Sequence, residues 1–142
     1  MEVTATLDTE SPQALLAAVV RDLATYPHWL DIVGRAEQVE EGEWSVDLRS
    51  QLGPLRRTKR LRMVRTLDDP AHVRFERSET DGRQHSPWEL DAALDPLGGG
   101  TRLSMRLHYG GSLWVPLLDR LLRDEIERSK PRLAAYLAAT RS

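Results

Sequence analysis

The 142-residue chain contains no cysteine. Disulfide bridges, thiolate nucleophiles and cysteine-based zinc sites are therefore excluded. The charges are close to balance, with 20 Lys and Arg against 22 Asp and Glu. Net charge therefore gives no overall attraction to nucleic acid or to an acidic membrane. No apolar run approaches the roughly 18 residues that a membrane-spanning helix needs.

Several functional motifs are also missing. The first residues, MEVTATLDTE, include acids and lack the basic segment of a secretory signal peptide, so we expect a cytoplasmic protein. The sequence has no G-x-S-x-G elbow and no His pair at zinc spacing. The segment GGGTR at 98–102 leads into a strand pattern, whereas phosphate loops lead into a helix N-terminus. A hairpin turn is expected there, and neither a metal nor a cofactor is expected.

The beginning of the chain predicts a strand followed by one or two short helices. Apolar and polar residues alternate across residues 2–8, which is typical of a half-buried strand. Ser11 and Pro12 are predicted as the N-cap and first residue of a helix. The helical pattern that follows must end before Pro27, because proline disfavours helix in the preceding residue.

The rest of the chain predicts six more strands and a long helix. Apolar residues recur with a period of two between Gly34 and Tyr109. Turn signals interrupt this pattern at residues 53–54, 68–70, 81–82 and 95–100. From Ser112 onward the period returns to about 3.6, with an expected kink at Pro131. Since only this helix could cover the sheet, we predict one α+β domain over residues 1–142.

Taken together, these elements resemble the helix-grip fold of the SRPBCC superfamily, which includes START-like and polyketide cyclase/dehydrase-like proteins. The resemblance is carried by DTESPQALL, YPHWL, DPLGGGTRLSMRLHY and the long final helix. The segments LGP, LDDP and HYGG are also similar to the carbon monoxide dehydrogenase branch of the superfamily. The resemblance spans the whole chain. It implies a seven-stranded curved antiparallel sheet wrapped around the C-terminal helix, with a cavity whose mouth lies near the short helices.

Strand alternation predicts which residues wall this cavity. If strands pair around the turns with their apolar faces inward, one row across the sheet is wholly apolar. That row is Val46, Met63, Phe75, Trp88 and Leu107, and it lies between two flanking rows. One flanking row is Trp44, Arg65, Val73, Leu90 and Met105, and the other is Leu48, Leu61, Arg77, Ser86 and Tyr109. A slip of two residues would keep the inward faces and move the rows.

We predict ligand contacts from this wall, from the final helix and from a gate at Trp29. The full set is Trp29, Trp44, Met63, Phe75, Arg77, Ser86, Trp88, Leu90, Met105, Leu107, Tyr109, Leu118, Leu122 and Ile126. No catalytic residue is assigned.

Two arginines, Arg65 and Arg77, fall on the inward phase, where an unpaired guanidinium is very costly. One interpretation is that they lie at strand ends, reach water or pair with Glu125. The other is that Arg77, Ser86 and Tyr109 hold a ligand carboxylate or phosphate.

Two other features have competing interpretations. His28 in TYPHWL is either a general base at the cavity mouth or a surface residue beside Trp29, which would act as the lid. The basic segment RRTKRLRMVR at 56–65 suggests nucleic acid or anionic lipid. Strand alternation divides its charges between the two faces, however, and carboxylates such as Asp47 could offset them. We therefore expect no nucleic-acid partner and at most a transient contact with a membrane surface.

Three functions follow from this pattern and the resemblance. The first is the binding of a small hydrophobic or amphipathic molecule, such as a lipid, polyketide or isoprenoid, without catalysis. The second is a cyclase or dehydratase in which Tyr109 and Arg77 donate to a developing enolate. The third is an assembly module, which predicts a collapsed cavity and an exposed apolar patch.

Overall fold

The strands and helices follow the predicted order. The computed structural model describes residues 2–52, 55–110 and 115–141, and within these ranges it leaves out the side chains of 50–52, 55–57, 115–119 and 141. The strands are β1 (Glu2–Thr9), β2 (Val33–Glu40), β3 (Glu43–Leu52), β4 (Leu55–Asp69), β5 (His72–Arg77), β6 (Trp88–Leu97) and β7 (Gly100–Tyr109). The helices are α1 (Gln13–Val20), a 3-10 helix (Leu23–His28) and α2 (Val115–Arg141).

The strands form one curved, open antiparallel sheet of seven strands in the order β1-β7-β6-β5-β4-β3-β2. Consecutive strands from β2 to β7 are therefore neighbours, and β1 closes the far side against β7. The long helix α2 packs against β1 and the 3-10 helix. This arrangement confirms the predicted α+β helix-grip architecture.

The first helix begins differently from the prediction. Pro12 occupies the cap position in an extended conformation, with φ −67° and ψ 151°, and no side chain caps the helix. Ser11 is buried, and its carbonyl oxygen accepts a hydrogen bond of 2.9 Å from the hydroxyl of Thr101. The prediction of Ser11 as N-cap was wrong because this residue instead ties the β1–α1 connection to β7.

The segment before Trp29 is a separate 3-10 helix. The α-helix ends at Val20, and Pro27 lies inside the 3-10 helix that follows. The carboxylate of Asp22 caps this second helix by accepting from the N–H of Ala24 at 3.0 Å. Helical structure therefore extends through Pro27, contrary to the expectation that it would end before that residue.

The inward phase of the strands was predicted correctly, but the rows are displaced by two residues. Trp44 pairs with Met63 rather than Arg65, and Phe75 pairs with Leu90 rather than Trp88. One cause is a register shift in β4 between Arg65 and Leu67. Such a bulge changes which residues face each other across a hairpin.

Helix α2 runs without a break through Pro131, so the kink remains a prediction. Its buried residues include Leu122, Leu133 and Leu137. The turn between β6 and β7 has Gly98 at a φ of 57°, which confirms the predicted glycine turn. The expected turn at 53–54 and the expected helix start at Ser112 lie outside the described residues. Within the described ranges, no helix is long and apolar enough to cross a membrane.

Candidate ligand-binding cavity

Aromatic rings fill the interior beneath the 3-10 helix. The ring centroid of Tyr26 lies 4.5 Å from that of Trp29 and 6.3 Å from that of Phe75. Phe75 in turn contacts Trp44 edge-to-face at 5.5 Å. The hydroxyl of Tyr26 donates to the carbonyl of Val20 at 2.9 Å, and burial raises the pKa of the phenol. Edge-to-face packing of this kind stabilises a core and leaves little free space around these rings.

An internal cavity of about 100 Å³ lies beside this cluster, between the sheet, the 3-10 helix with its following loop, and α2. Among the described side chains, its lining is apolar or aromatic apart from Glu125 and Ser129. The lining residues are Val3, Leu23, Tyr26, Trp29, Leu30, Ile32, Val33, Val46, Leu48, Leu61, Met63, Trp88, Leu90, Met105, Leu107, Leu122, Glu125, Ile126 and Ser129. A largely apolar cavity with a few polar groups is the usual form of a small-molecule site.

More than half of the predicted ligand-contacting residues line this cavity. They are Trp29, Met63, Trp88, Leu90, Met105, Leu107, Leu122 and Ile126. The described lining does not include Trp44, Phe75, Arg77, Ser86 or Tyr109. The side chain of Leu118 lies outside the described residues.

Trp44 and Phe75 are absent from the lining because they belong to the aromatic cluster. The displaced register places Phe75 level with Leu90, nearer the 3-10 helix than predicted. Phe75 is completely buried there and Trp44 almost so. These two residues therefore contribute to the packed core rather than to the wall of the cavity.

Arg77 is held by protein groups at the end of β5. Its Nε donates to Glu79 at 3.0 Å, its Nη1 to the carbonyl of Ser86 at 3.2 Å, and its Nη2 lies 3.2 Å from Nδ1 of His85. Burial opposes ionisation of Glu79, but hydrogen bonds from the Arg62 N–H and from Arg77 keep the pKa of this carboxyl below its ordinary value. The guanidinium therefore anchors the loop between β5 and β6.

Arg65 also finds its partners within the protein. Its Nη1 donates to the carbonyl of Arg21 at 2.8 Å, and its guanidinium lies 5.3 Å from the ring centroid of Trp44. Glu125 forms an ion pair with Arg128, one turn further along α2. The alternative in which Glu125 pairs with an inward arginine was therefore wrong.

Tyr109 packs against the cavity wall from behind. Its ring stacks on Trp88 with centroids 5.4 Å apart, and the two residues are direct partners across β6 and β7. Tyr109 is buried, whereas the register had been predicted to place it opposite Ser86. Trp88 is thus supported on one side by Tyr109 and lines the cavity as well.

Three buried polar atoms belong to residues of the cavity wall and have no hydrogen-bond partner among the described residues. They are the indole Nε1 of Trp29, the indole Nε1 of Trp88 and Oε2 of Glu125. Trp44 has a similarly unpartnered Nε1, but it does not line the cavity. A buried donor or acceptor without a partner costs about 1 to 3 kcal/mol. The cavity wall therefore contains hydrogen-bonding capacity that the described residues do not use.

His28 makes a structural contact at the protein surface. Its exposed imidazole stacks on Tyr136 of α2, with centroids 5.4 Å apart and ring planes 7° from parallel. The next residue, Trp29, is buried and lines the cavity. The described lining does not include His28, so this geometry favours the structural interpretation of TYPHWL over the catalytic one.

The sequence analysis missed several wall residues. Glu125 and Ser129 lie one turn apart on α2 and share a face with Leu122 and Ile126, so helical spacing could have identified them. Glu125 had been considered only as a partner for an arginine. Leu30 and Ile32 carry no comparable signal, because no regular period covers the loop after the 3-10 helix.

The described basic residues of the segment 56–65 largely pair with carboxylates. Arg60 lies 2.9 Å from Asp47, and Arg62 lies 2.7 Å from Glu43. Hydrogen bonds from Arg60 and then Arg35 lower the pKa of Asp47 to about 2. These pairs reduce the positive field expected from the sequence. In the part of the chain that the structure describes, no group of His, Asp and Glu is arranged to hold a metal ion.

Comparisons with known proteins identify the fold. No family model and no curated protein matches the chain. A START superfamily protein from Mycobacterium smegmatis superposes with a TM-score of 0.78 at 16% identity, covering 98% of both chains. The chain has the START-like helix-grip fold. The protein TTHA0849 from Thermus thermophilus shares this fold at a TM-score of 0.75 and 19% identity, with complete coverage of both chains.

The same helix-grip fold occurs in the di-domain aromatase/cyclase BexL from the BE-7585A biosynthetic pathway. That match has a TM-score of 0.66 and 17% identity, and covers 94% of this chain and 46% of BexL. At such identities the likeness establishes the fold and leaves the ligand and chemistry to be argued from the cavity.

Proposed function

We propose that this protein binds a small hydrophobic or amphipathic molecule in the cavity between the sheet and α2. The observation that carries the proposal is the cavity itself, which is lined almost entirely by apolar and aromatic side chains from both sides of the fold. Burial of apolar ligand surface is worth about 25 cal/mol per Å², before the entropy of association is subtracted. The START-like and cyclase folds of the structural neighbours agree with this function.

The size of the cavity limits what fits without movement. An engineered cavity of about 150 Å³ in another protein accepts benzene, and the cavity here measures about 100 Å³. A single-ring compound is therefore near the upper limit for this arrangement. A longer lipid, polyketide or isoprenoid requires α2 to move away from the sheet.

The enzymatic alternative receives less support from the site. It depends on Tyr109 and Arg77 as donors to a reacting oxygen, and the described lining includes neither residue. Arg77 already uses three of its nitrogens to hold the β5–β6 loop. The assembly alternative predicted an exposed apolar patch. The large exposed hydrophobics among the described side chains are Val39 and Leu97, which lie on separate strands.

Native mass spectrometry of protein purified without detergent tests the proposed function, together with a toluene titration followed by NMR. We expect a co-purified mass that is lost on denaturation, or saturable toluene binding at the cavity. Leu107→Trp should fill the cavity and abolish toluene binding, since Leu107 lines it. Leu97→Trp, at an exposed position, is the matched control and should bind normally. The proposal fails if neither a co-purified mass nor toluene binding is found.

A further inference from the structure

The cavity wall combines buried donors with a buried acceptor. The donors are the indole N–H groups of Trp29 and Trp88, whose side chains are 2% and 9% exposed. The acceptor is Oε2 of Glu125, whose other oxygen, Oε1, accepts from Arg128. All three residues line the same cavity, although they come from the end of the 3-10 helix, from β6 and from α2.

A purely hydrophobic ligand would leave these groups unpaired. Burying polar atoms without partners is unfavourable, and such atoms at a binding site normally meet polar groups of the ligand. Trp44 shows that an unpartnered indole N–H alone does not mark a site, because its Nε1 is equally buried away from the cavity. The distinguishing observation is therefore that both donors and the carboxylate oxygen belong to one cavity wall.

The charge of the wall selects among amphipathic ligands. Glu125 is the only charged residue in the described lining, and its ion pair with Arg128 indicates a carboxylate. A ligand carboxylate or phosphate would meet this like charge in an apolar setting, where repulsion is strong. The cations expected to attract such an anion are engaged elsewhere. Arg77 is bonded to Glu79, and the Nζ of Lys59 lies 3.4 Å from the hydroxyl of Ser86.

We infer that the cavity selects an uncharged molecule carrying a hydroxyl group, which donates to Glu125 Oε2 and accepts from the indole N–H of Trp29 or Trp88. A hydroxyl provides both functions, with one O–H donor and two acceptor lone pairs. This inference rests on the proposed function and narrows its ligand class to neutral alcohols and phenols. It replaces the predicted grip of Arg77 on a ligand anion.

Three single-ring probes of similar size separate these ligand classes. Phenol carries the hydroxyl, toluene replaces it with a methyl group, and benzoate carries a negative charge. Dissociation constants come from NMR titrations of the wild-type protein at neutral pH. We expect phenol to bind at least about tenfold more tightly than toluene, because a hydrogen bond to a charged acceptor adds to the shared burial. Benzoate should bind most weakly.

The same titrations identify the atoms involved. In nitrogen-15 spectra, phenol should shift the indole N–H signal of Trp29 or Trp88, and toluene should move that signal less. The signal of Trp44 should respond equally little to both probes, since Trp44 does not line the cavity. Because this readout uses the wild-type protein, it does not depend on whether any variant folds.

Substitutions test the role of each group through the ratio of toluene to phenol dissociation constants. Glu125→Met should bring this ratio close to one, and Trp29→Phe or Trp88→Phe should lower it. Trp44→Phe is the matched control and should leave the ratio unchanged. A residue that only supports the fold would weaken both probes alike and would not change the ratio.

The outcomes separate this inference from the proposed function. If toluene binds and phenol binds no more tightly, the hydroxyl is not recognised and only this inference is overturned. Preferential binding of benzoate, or a phenol preference that survives all three wall substitutions, also overturns it. If neither toluene nor phenol binds, the proposed function itself fails and the inference fails with it.

Discussion

The imidazole of His28 lies flat against the ring of Tyr136, 7° from parallel and 5.4 Å between centroids. This stack joins the end of the 3-10 helix to α2 at the surface, next to the buried Trp29. The two elements flank the cavity, so the stack helps to hold them together across it.

Breaking this stack should loosen the two elements. We expect His28→Ala and Tyr136→Ala each to lower the free energy of unfolding, with a coupling energy of about 0.5 kcal/mol between them. Urea unfolding of the wild type, both single variants and the double variant measures that coupling. Strictly additive effects would show that the stack contributes nothing to stability.

Acid should weaken the ion pairs on the outer face of β3. Hydrogen bonds from Arg60 and Arg35 lower the pKa of Asp47 to about 2, from an ordinary value near 3.8. A carboxyl whose pKa is depressed by folding stabilises the protein above its unfolded pKa, and this stabilisation is lost as the pH falls through the folded value. We therefore expect the contribution of Asp47 to disappear between about pH 4 and pH 2.

The Asp47→Asn variant isolates this contribution. It should be less stable than the wild type at pH 6, and the difference should shrink as the pH approaches 2. Urea midpoints measured at each pH provide the comparison. Glu41→Gln is the control, since Glu41 is an exposed residue in the turn between β2 and β3. A difference that stays constant from pH 6 to pH 2 would contradict the assignment.

The sequence predicted which strand faces point inward because alternation with a period of two depends only on local chemistry. It misplaced the rows because pairing depends on turn lengths and bulges. The register shift between Arg65 and Leu67 has no apolar signature in the sequence. As a result, Phe75 was predicted in the cavity wall but lies in the aromatic cluster.

The prediction of the site shows the same division. Leu122 and Ile126 were identified as wall residues from the apolar stripe of α2, and both line the cavity. Glu125 shares their face, but its charge led to the expectation that it would satisfy a buried arginine. Hydrophobic periodicity could not show that Arg65 and Arg77 find partners on neighbouring loops and strands. Those contacts depend on tertiary structure.

Arg77 should prove to be a structural residue. We expect Arg77→Leu to destabilise the protein by about 3 kcal/mol, because the half-buried Glu79 loses its charged partner. Toluene and phenol should still bind, since Arg77 does not line the cavity. Thermal or urea unfolding gives the first result and the NMR titration gives the second. Arg83→Leu, in the same loop but exposed, is the control for charge removal.

A matched pair of leucine substitutions on α2 separates the cavity from the core. Leu122 and Leu137 are both about 98 to 99% buried, but only Leu122 lines the cavity in the described structure. Leu→Ala changes in cores typically cost about 2 to 5 kcal/mol, so both variants should unfold at lower urea concentrations. Leu122→Ala should also enlarge the cavity and let it bind a two-ring probe such as naphthalene, which the wild type excludes or binds weakly. Leu137→Ala should leave naphthalene binding as in the wild type. Equal gains in both variants would mean that naphthalene follows general loosening of the fold, and no change in Leu122→Ala would place the binding space away from α2.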